Sequence, residues 1–283
     1  MFFNKIRLVA STTVSLPHLG LASPTDVFIL KGADGLGPTE NDVFLANTAR
    51  SGGYYQGRRS QSREITLLVG LNPSYAIGQT SASLRDTVYG LLTSEPGAKN
   101  LEVMTVQLMD GDSVVAQTEG YLKHVPINPF SNEPQVQIII SCPSQYFQGE
   151  TSDDFTADDA DDLVVTNVGT APTGFLFTQM MTGATTEFTI QDRIDIDEEG
   201  VQFMTLNDLD LEFGDQLVID TRPGSRELYY IPVGFTHHQN LLGKLSDESS
   251  WIQLRPGANH LYWSSASYDD SLLVTFNHLY WGV

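Results

Sequence analysis

The stretch EITLLVGL, residues 64–71, is decisive for the fold class of this chain. Its residues are aliphatic and β-branched, and turn-forming residues flank it on both sides, which is typical of a β-strand. Three further segments of the first half have the same character: VFIL (27–30), LEVMTVQLM (101–109) and VQIIISC (136–142). The sequence therefore predicts that strands dominate the first half of the chain.

The second half continues this pattern over six segments. They are DLVVTNV (162–168), TEFTIQDRIDI (186–196), GDQLVIDT (214–221), ELYYIPVGF (227–235), NHLYWSS (259–265) and SLLVTFNHLYW (271–281). Gly-Thr, Pro-Gly, Gly-Ala and Asp-Asp turn signals separate them at short intervals. Short, evenly spaced strands without intervening helices favour an antiparallel sandwich or barrel over a parallel βαβ sheet. The expected fold class is therefore mainly β.

One segment has the periodicity of a helix instead. SASLRDTVYGLLTSEPG (81–97) places four apolar residues on one helical face, at Leu84, Val88, Leu91 and Leu92. Ser81 or Ser83 can cap its beginning, and Pro96-Gly97 can end it. We therefore expect one helix over about 81–95 within an otherwise β-rich first half.

The uneven distribution of acidic residues predicts two domains, 1–150 and 151–283. The chain has 283 residues and a net charge of −20. Residues 1–150 contain 13 acidic and 10 basic residues, whereas 151–283 contain 22 acidic and 5 basic residues. The Asp-rich run GETSDDFTADDADD (149–162) marks the division, as a solvated linker or an exposed first turn. An EF-hand is a poorer interpretation, because the run lacks the glycine and terminal glutamate of a calcium loop.

Composition also limits the classes of partner and compartment. So acidic a surface argues against sequence-specific nucleic-acid binding and against anionic membranes. The N-terminal segment has Leu8-Val9-Ala10 as its longest apolar run, which favours a first strand over a signal peptide. No stretch approaches the ~20 apolar residues of a membrane span, so we expect a soluble protein made in a cytoplasm. Cys142 is the one cysteine, which excludes an intramolecular disulfide and favours a buried thiol.

The sequence offers no catalytic, cofactor or metal site with a specific signature. The chain has no G-x-S-x-G elbow, no P-loop and no H-E-x-x-H motif. His237-His238 is either a metal pair or a pair in a loop or at a strand edge, and adjacent strand residues point to opposite faces. Asp195 and Asp197 are either calcium ligands or the polar side of a half-buried strand. We therefore expect a protein that is not an enzyme, with a polysaccharide-degrading β-protein as the remotest alternative.

A basic cluster is unusual in so acidic a chain. It consists of Arg50, Arg58, Arg59 and Arg63, which surround the glycine-rich stretch SGGYYQG (51–57). The glycines predict a flexible or sharply bent loop. One interpretation is a loop that reaches an acidic partner, a neighbouring copy of the chain or passing DNA. The other is a set of surface arginines that meet local acids such as Glu40, Asp42 and Glu64.

Aromatic residues crowd the last part of the chain, where Trp251, Trp263 and Trp281 lie. Exposed aromatic rings on a sandwich can stack on sugars, so Trp251 and Trp263 are candidate sugar contacts. The alternation of HLYW at 260–263 and 278–281 places one member of each pair in a core instead. A carbohydrate-binding module for adsorption to a host surface is therefore the alternative function.

Eight phrases together resemble siphophage distal tail proteins. In the first half they are ILKGADGLGP (29–38), REITLLVGLNP (63–73), SLRDTVYGLL (83–92) and IIISCPSQYF (138–147). In the second half they are VVTNVGTAPT (164–173), GDQLVIDTRPG (214–224), SSWIQLRPGANHLYW (249–263) and LLVTFNHLYWGV (272–283). The phrases follow the family's order over nearly the whole chain, although the Asp-rich run is longer and more acidic than the family's pattern.

The resemblance implies a structural role in a virion. It implies a first domain, 1–150, that is a β-sandwich or split barrel with one helix and that forms a hexameric ring of identical subunits. It implies a second domain, 151–283, that is a peripheral galectin-like antiparallel β-sandwich. The partners it implies are the tail tube protein, the tape measure protein and the baseplate hub or tail-associated protein. No cofactor, metal or catalytic residue comes with the family, and the location is the tail tip, after assembly in the host cytoplasm.

Overall fold

A computed structural model describes most of the chain. The described ranges are 3–9, 13–18, 22, 26–39, 41–47, 53–73, 78–92, 103–125, 134–157, 162–193, 202–265 and 272–282. The chain divides into two compact units. The first consists of Met1–Glu150 together with Tyr280–Val283, and the second is Thr151–Leu279. The last four residues thus belong to the first unit, which the sequence did not predict.

Most of the first unit is a continuous series of antiparallel strands. These are β1 Lys5–Val9, β2 Thr13–Pro17, β3 Phe28–Asp34, β4 Asn41–Asn47, β5 Gly53–Ser60, β6 Arg63–Leu71, β7 Met104–Asp110, β8 Ser113–His124 and β9 Gln135–Cys142. Apart from β4 and β5, the strands pair in the order β2-β1-β7-β8-β9-β6-β3. A parallel bridge between His18 and Leu30 brings the two ends of this series together. The first unit is therefore a split barrel, one of the two architectures that the resemblance implied.

The long strand β8 turns the corner of this barrel. Its first part pairs with β7 and its last part with β9. Gly120 lies at the change of partner, where an added Cβ would lie 2.7 Å from Cγ2 of Ile140 and 2.8 Å from Sγ of Cys142. Only glycine fits this close approach, because any side chain would push the two strands apart.

The core of the first unit follows the two-residue period of its strands. In β6, Ile65, Leu67 and Val69 are buried while Glu64 is exposed. Alternate residues of β1, β7 and β9 are buried against them. The alternation that predicted a strand over 64–71 is therefore also what places its aliphatic residues in the core.

The helix expected near residue 81 is α1, Ser81–Leu92. Leu84 and Val88 pack into the core of the first unit, as their spacing predicts. Its cap is Thr80 rather than Ser81 or Ser83. The Ser83 N–H donates to Oγ1 of Thr80 at 3.1 Å, and the Thr80 N–H donates to Oγ of Ser83 at 3.0 Å, which is a reciprocal capping box. No helix in the described ranges is long and apolar enough to cross a membrane.

The expected acidic linker is partly a strand. Strand β10, Phe147–Ala157, continues through the predicted boundary and includes Asp153 and Asp154. Residues 158–161 of the run lie outside the described residues. Backbone hydrogen bonding does not depend on side-chain charge, so an acidic run can form a strand where its backbone finds a partner.

The second unit is an antiparallel β-sandwich. Its strands are β11 Asp162–Asn167, β12 Leu176–Met180, β13 Phe188–Arg193, β14 Gln202–Leu206, β15 Gln216–Asp220, β16 Glu227–Ile231, β17 Gln239–Asn240, β18 Gly257–Ser265 and β19 Leu272–Tyr280. One sheet has the order β17-β16-β15-β12-β19 and the other the order β11-β18-β13-β14. Phe177, Ile219 and Val274 of the first sheet and Ile190 and Leu261 of the second share one core. The predicted mainly β fold with one helix is therefore confirmed.

Candidate assembly site

The four arginines singled out in the sequence do not share one environment. Arg50 lies outside the described residues. Arg58 and Arg59 lie on β5, where their backbones pair with Val43 and Asp42 of β4. Arg63 begins β6 and is buried, with only 2% of its surface exposed. The proposed contact role of Arg50, Arg58 and Arg59 stays a prediction, whereas Arg63 is a core residue of the first unit.

The glycine-rich stretch expected to be a loop is mostly a strand. Strands β4 and β5 form a hairpin from Asn41↔Ser60 to Asn47↔Gly53, and the register shifts between Phe44 and Leu45. The shift lies where Gly57 pairs with Phe44, since a glycine tolerates the local geometry of a bulge. The two strands form a two-stranded sheet that pairs with no other strand of the described ranges. Within the described ranges, the outer edge of each strand therefore has no strand partner, and such an edge is a template for pairing with another chain.

Arg63 is the centre of a hydrogen-bond node in the first unit. Its Nη1 donates to the carbonyl oxygens of Gly35 and Gly37 at 2.6 and 2.7 Å. Its Nη2 donates to the carbonyl oxygens of Gln145 and Trp281 at 2.7 and 2.6 Å. The guanidinium carbon lies 4.3 Å from the ring centroid of the buried Phe147. One side chain thus joins the turn after β3, the turn before β10 and the C-terminal residues.

The dipoles of backbone carbonyl groups and the ring face of Phe147 stabilise the buried charge of Arg63. Burial lowers the pKa of Arg63 below its ordinary value, and the influence of Cys142 opposes this in part. Four carbonyl oxygens and the π-face of Phe147 compensate for the lost water. Cys142, which pairs with Arg63 across β9 and β6, is fully buried. Burial raises the pKa of its thiol to about 11 even though Arg63 and Thr118 act to lower it.

The turn next to this node depends on a glycine. Gly35 has φ +78°, and an added Cβ would lie 1.8 Å from the carbonyl oxygen of Glu64. The neighbouring Asp34 carboxylate accepts a hydrogen bond from the Gly35 N–H at 2.8 Å. The phrase ILKGADGLGP therefore contains a turn whose backbone must approach β6 closely enough for Arg63 to reach its carbonyls.

The tryptophans have different surroundings. Trp263 lies on β18 and is 4% exposed, within the core of the second unit. A ring that is buried to this extent has no face available for a sugar. Trp251 is partly buried and packs against the same core, with the Arg226 guanidinium carbon 5.6 Å from its ring centroid. Trp281 contacts Tyr146 in the first unit, with ring centroids 4.8 Å apart.

The candidate metal ligands do not converge. Over the described ranges no group of three or more His, Cys, Asp or Glu side chains is placed to hold a metal. His237 contacts the ring of Phe235, and His238 contacts the ring of Tyr229. Asp195 and Asp197 lie outside the described residues. Asp192 of the same segment is fully buried and accepts from Nη2 of Arg255 at 3.0 Å.

Part of the sequence matches a known protein family, and the fold matches solved structures. Residues 168–280 match the family model of the siphovirus-type tail component, C-terminal domain. The crystal structure of the phage SPP1 Dit protein, described as a paradigm of the hub adsorption apparatus in phages that infect Gram-positive bacteria, has a TM-score of 0.62. Sequence identity is 15%, and the match covers 97% of this chain and 98% of that chain.

Two structures of the phage P2 baseplate in its activated conformation also match. The calcium form has a TM-score of 0.45 at 9% identity, covering 97% of both chains. The strontium form has a TM-score of 0.43 at 8% identity, covering 96% of this chain and 97% of that chain. No curated protein matches the sequence significantly.

The split barrel, the β-sandwich and the matched family together define a structural component of a siphovirus-type tail. The family is one of tail components, in line with the expectation of a structural protein. Within this class, residues 168–280 match the C-terminal domain of the siphovirus-type tail component, which supports the resemblance to siphophage distal tail proteins seen in the sequence.

Proposed function

We propose that this chain is the subunit of a closed ring of six copies at the end of the tail tube. In this ring the first unit surrounds the channel and the second unit lies on the periphery. The partners are the tail tube protein and the end of the tape measure protein on one side, and the baseplate hub or tail-associated protein on the other. The ring is a head-to-tail assembly, in which different surfaces of each copy meet and the rotation closes.

The observation that carries the proposal is the two-stranded sheet of β4 and β5. A two-stranded hairpin is only marginally stable in water by itself, and its open edges are templates for pairing with another chain. In a ring, the hairpin of one copy gains a partner on the next copy. This removes the aggregation hazard of the open edges and adds main-chain hydrogen bonds to the interface.

The distribution of charge supports the same arrangement. Residues 1–150 contain 13 acidic and 10 basic residues and are close to neutral. Residues 151–283 contain 22 acidic and 5 basic residues and are strongly negative. Copies of the first unit can therefore approach one another closely. Copies of the second unit repel one another, which favours a position away from the ring axis.

The first experiment is a measurement of mass and shape. Light scattering after size exclusion should give six times 31.2 kDa, and negative stain should show a ring with a central hole. A chain that stays monomeric at high concentration, with and without the tail tube protein, would contradict the proposal.

A hairpin deletion tests the interface itself. Thr39 and Gln61 line the same surface cavity, so a short Gly-Ser linker can replace residues 41–60. The deletion should leave the circular dichroism spectrum β-rich and abolish the ring. Charge reversal by Arg58→Glu with Arg59→Glu should weaken the ring, whereas Arg85→Glu on α1 is the matched control. A ring that survives both the deletion and the charge reversal would rule out the hairpin as its contact.

A further inference from the structure

The second unit exposes an apolar surface at one end of its β12–β15–β16 sheet. Phe213 is 72% exposed, and Val233 and Phe235 are each 58% exposed. Met180, Gln216 and Ile231 form one row across this sheet end, and Met180 is also exposed. We call Met180, Phe213, Val233 and Phe235 the aromatic patch. Three exposed apolar residues on two adjacent turns are a concentration of apolar surface that a protein in water does not need for folding.

Two turns hold the patch in a fixed geometry. In the first turn the Asp215 N–H donates to the Glu212 carbonyl oxygen at 3.2 Å. In the second the Phe235 N–H donates to the Pro232 carbonyl oxygen at 3.1 Å. Phe213 and Val233 follow the first residues of these turns, and Phe235 ends the second. The aromatic rings are thus presented by short hydrogen-bonded turns.

A buried carboxylate joins the two turns. Asp215 is 5% exposed, and its Oδ2 accepts from the Glu212 N–H while its Oδ1 accepts from the Val233 N–H, both at 2.9 Å. The Asp215 carbonyl oxygen also accepts from the Met181 N–H at 2.8 Å. Gly214 packs so closely that an added Cβ would lie 3.0 Å from Cγ2 of Val233. Such pre-organisation lowers the entropy that a bound partner would have to remove.

Acidic side chains border the patch. Glu212 and Asp210 are exposed, and Glu212 is adjacent to Phe213 in the chain. Their charges act on Tyr230 of β16: partial burial raises the pKa of Tyr230, and the carboxylates of Asp215, Asp210 and Glu212 raise it further. The patch therefore combines an apolar centre with a negative border.

We propose that the aromatic patch is a docking surface for another protein that offers an apolar anchor surrounded by lysine or arginine. Aromatic anchors at the centre and charges at the border are the arrangement of protein interfaces. A second copy of this chain is a poor occupant, since residues 151–283 are strongly acidic and repel themselves. An anionic membrane is a poor occupant for the same reason. The aromatic patch shares no residue with the β4–β5 hairpin, so the proposal does not depend on the ring.

The test uses the full chain and three labelled peptides of equal length. One alternates lysine with leucine, one alternates glutamate with leucine, and one alternates lysine with serine. The lysine–leucine peptide should bind most tightly, and added salt should weaken it. Phe213→Ser combined with Phe235→Ser should weaken this binding by about tenfold or more. Val168→Ser, at another exposed valine of the second unit, should leave it unchanged.

Several results would overturn the proposal. Equal binding by the double variant, or equal binding of the glutamate–leucine peptide, would show that the aromatic patch and its acidic border do not select the partner. Self-association that the double variant abolishes would make a second copy the occupant. Binding to phosphatidylcholine vesicles that the double variant abolishes would make a membrane the occupant. Both phenylalanines are exposed, so the double variant should fold, and its mass by light scattering should equal that of the unmodified chain.

Discussion

Substitution of Arg63 by alanine should strongly destabilise the first unit. The change removes the donors to four carbonyl oxygens and the contact with the ring of Phe147. A hydrogen bond from a charged group contributes ~1.5–3 kcal/mol, and an unsatisfied buried acceptor costs ~1–3 kcal/mol. The variant no longer has to desolvate a guanidinium, which offsets several of these kcal/mol. We expect a net loss of about 3–5 kcal/mol in the free energy of unfolding, a large part of a typical total.

The relative stabilities of three Arg63 variants distinguish the contribution of its hydrogen bonds from that of its packing against Phe147. Lysine has its donors on one nitrogen, so Arg63→Lys can serve only some of the four carbonyls. Arg63→Met retains much of the apolar contact with Phe147 but supplies no donor. Stability should therefore fall from the unmodified chain to Arg63→Lys, then Arg63→Met, then Arg63→Ala. Arg85→Ala on α1 is the matched control and should change stability by less than ~0.5 kcal/mol.

The assay must report on the first unit alone, because a chain with two compact units need not unfold in one step. Amide hydrogen exchange of peptides that cover 28–39 and 136–147 provides this, since both lie in the first unit and contain partners of the node. Protection should decrease together in these two peptides and much less over 202–220, which lies in the second unit. A loss below about 1 kcal/mol in Arg63→Ala would refute the reasoning, as would a loss confined to one peptide.

Three further predictions concern single positions. Cys142 should resist iodoacetamide at pH 8 in the folded chain and react once urea unfolds it. The pKa of its thiol is raised to about 11 in the folded chain. The protonated thiol should therefore contribute about 3 kcal/mol to the free energy of unfolding below the unfolded-state pKa, and this contribution should be lost as the pH rises through about 11. Thr80→Ala should lower the stability of the first unit by ~1 kcal/mol in urea titrations, through loss of the α1 cap, and an unchanged midpoint would contradict the cap. Gly214→Ala should lower the melting temperature by forcing a side chain into φ +88°, whereas Gly243→Ala, with open space around it, should not.

The sequence predicted the elements whose pattern is local. The alternation in 64–71 and the helical spacing of Leu84 and Val88 both correspond to what is buried in the structure. The hairpin of β4 and β5 was missed, because Gly53 and Gly57 are typical of loops and strand pairing overrides that preference. The burial of Trp263 was one of two interpretations, and the sandwich core decides between them.

Arg63 shows why long-range contacts escape sequence reasoning. In the sequence it is one of four arginines near a glycine-rich stretch, and it was grouped there with Arg58 and Arg59. Its partners lie at Gly35, Gln145 and Trp281, and the last of these is almost at the end of the chain. The one available signal was that an arginine begins the strand phrase REITLLVGLNP.

The node brings together four of the eight phrases that resemble the family. Gly35 and Gly37 lie in ILKGADGLGP, Arg63 begins REITLLVGLNP, Gln145 and Phe147 end IIISCPSQYF, and Trp281 lies in LLVTFNHLYWGV. These phrases are far apart in the chain but meet at one guanidinium. Their residues are tied to one another because only a planar fork of donors serves four carbonyls.

The Arg63 side chain also binds two carbonyl groups that lie, in the sequence, near the two unit boundaries. Gln145 lies just before the chain leaves the first unit after Glu150, and Trp281 lies just after it returns at Tyr280. Nη2 of Arg63 binds both carbonyls. The hairpin of β4 and β5, by contrast, lies between two of the phrases and contributes to none of them. The four phrases that meet at Arg63 therefore secure the fold of the first unit, whereas the hairpin takes no part in this node.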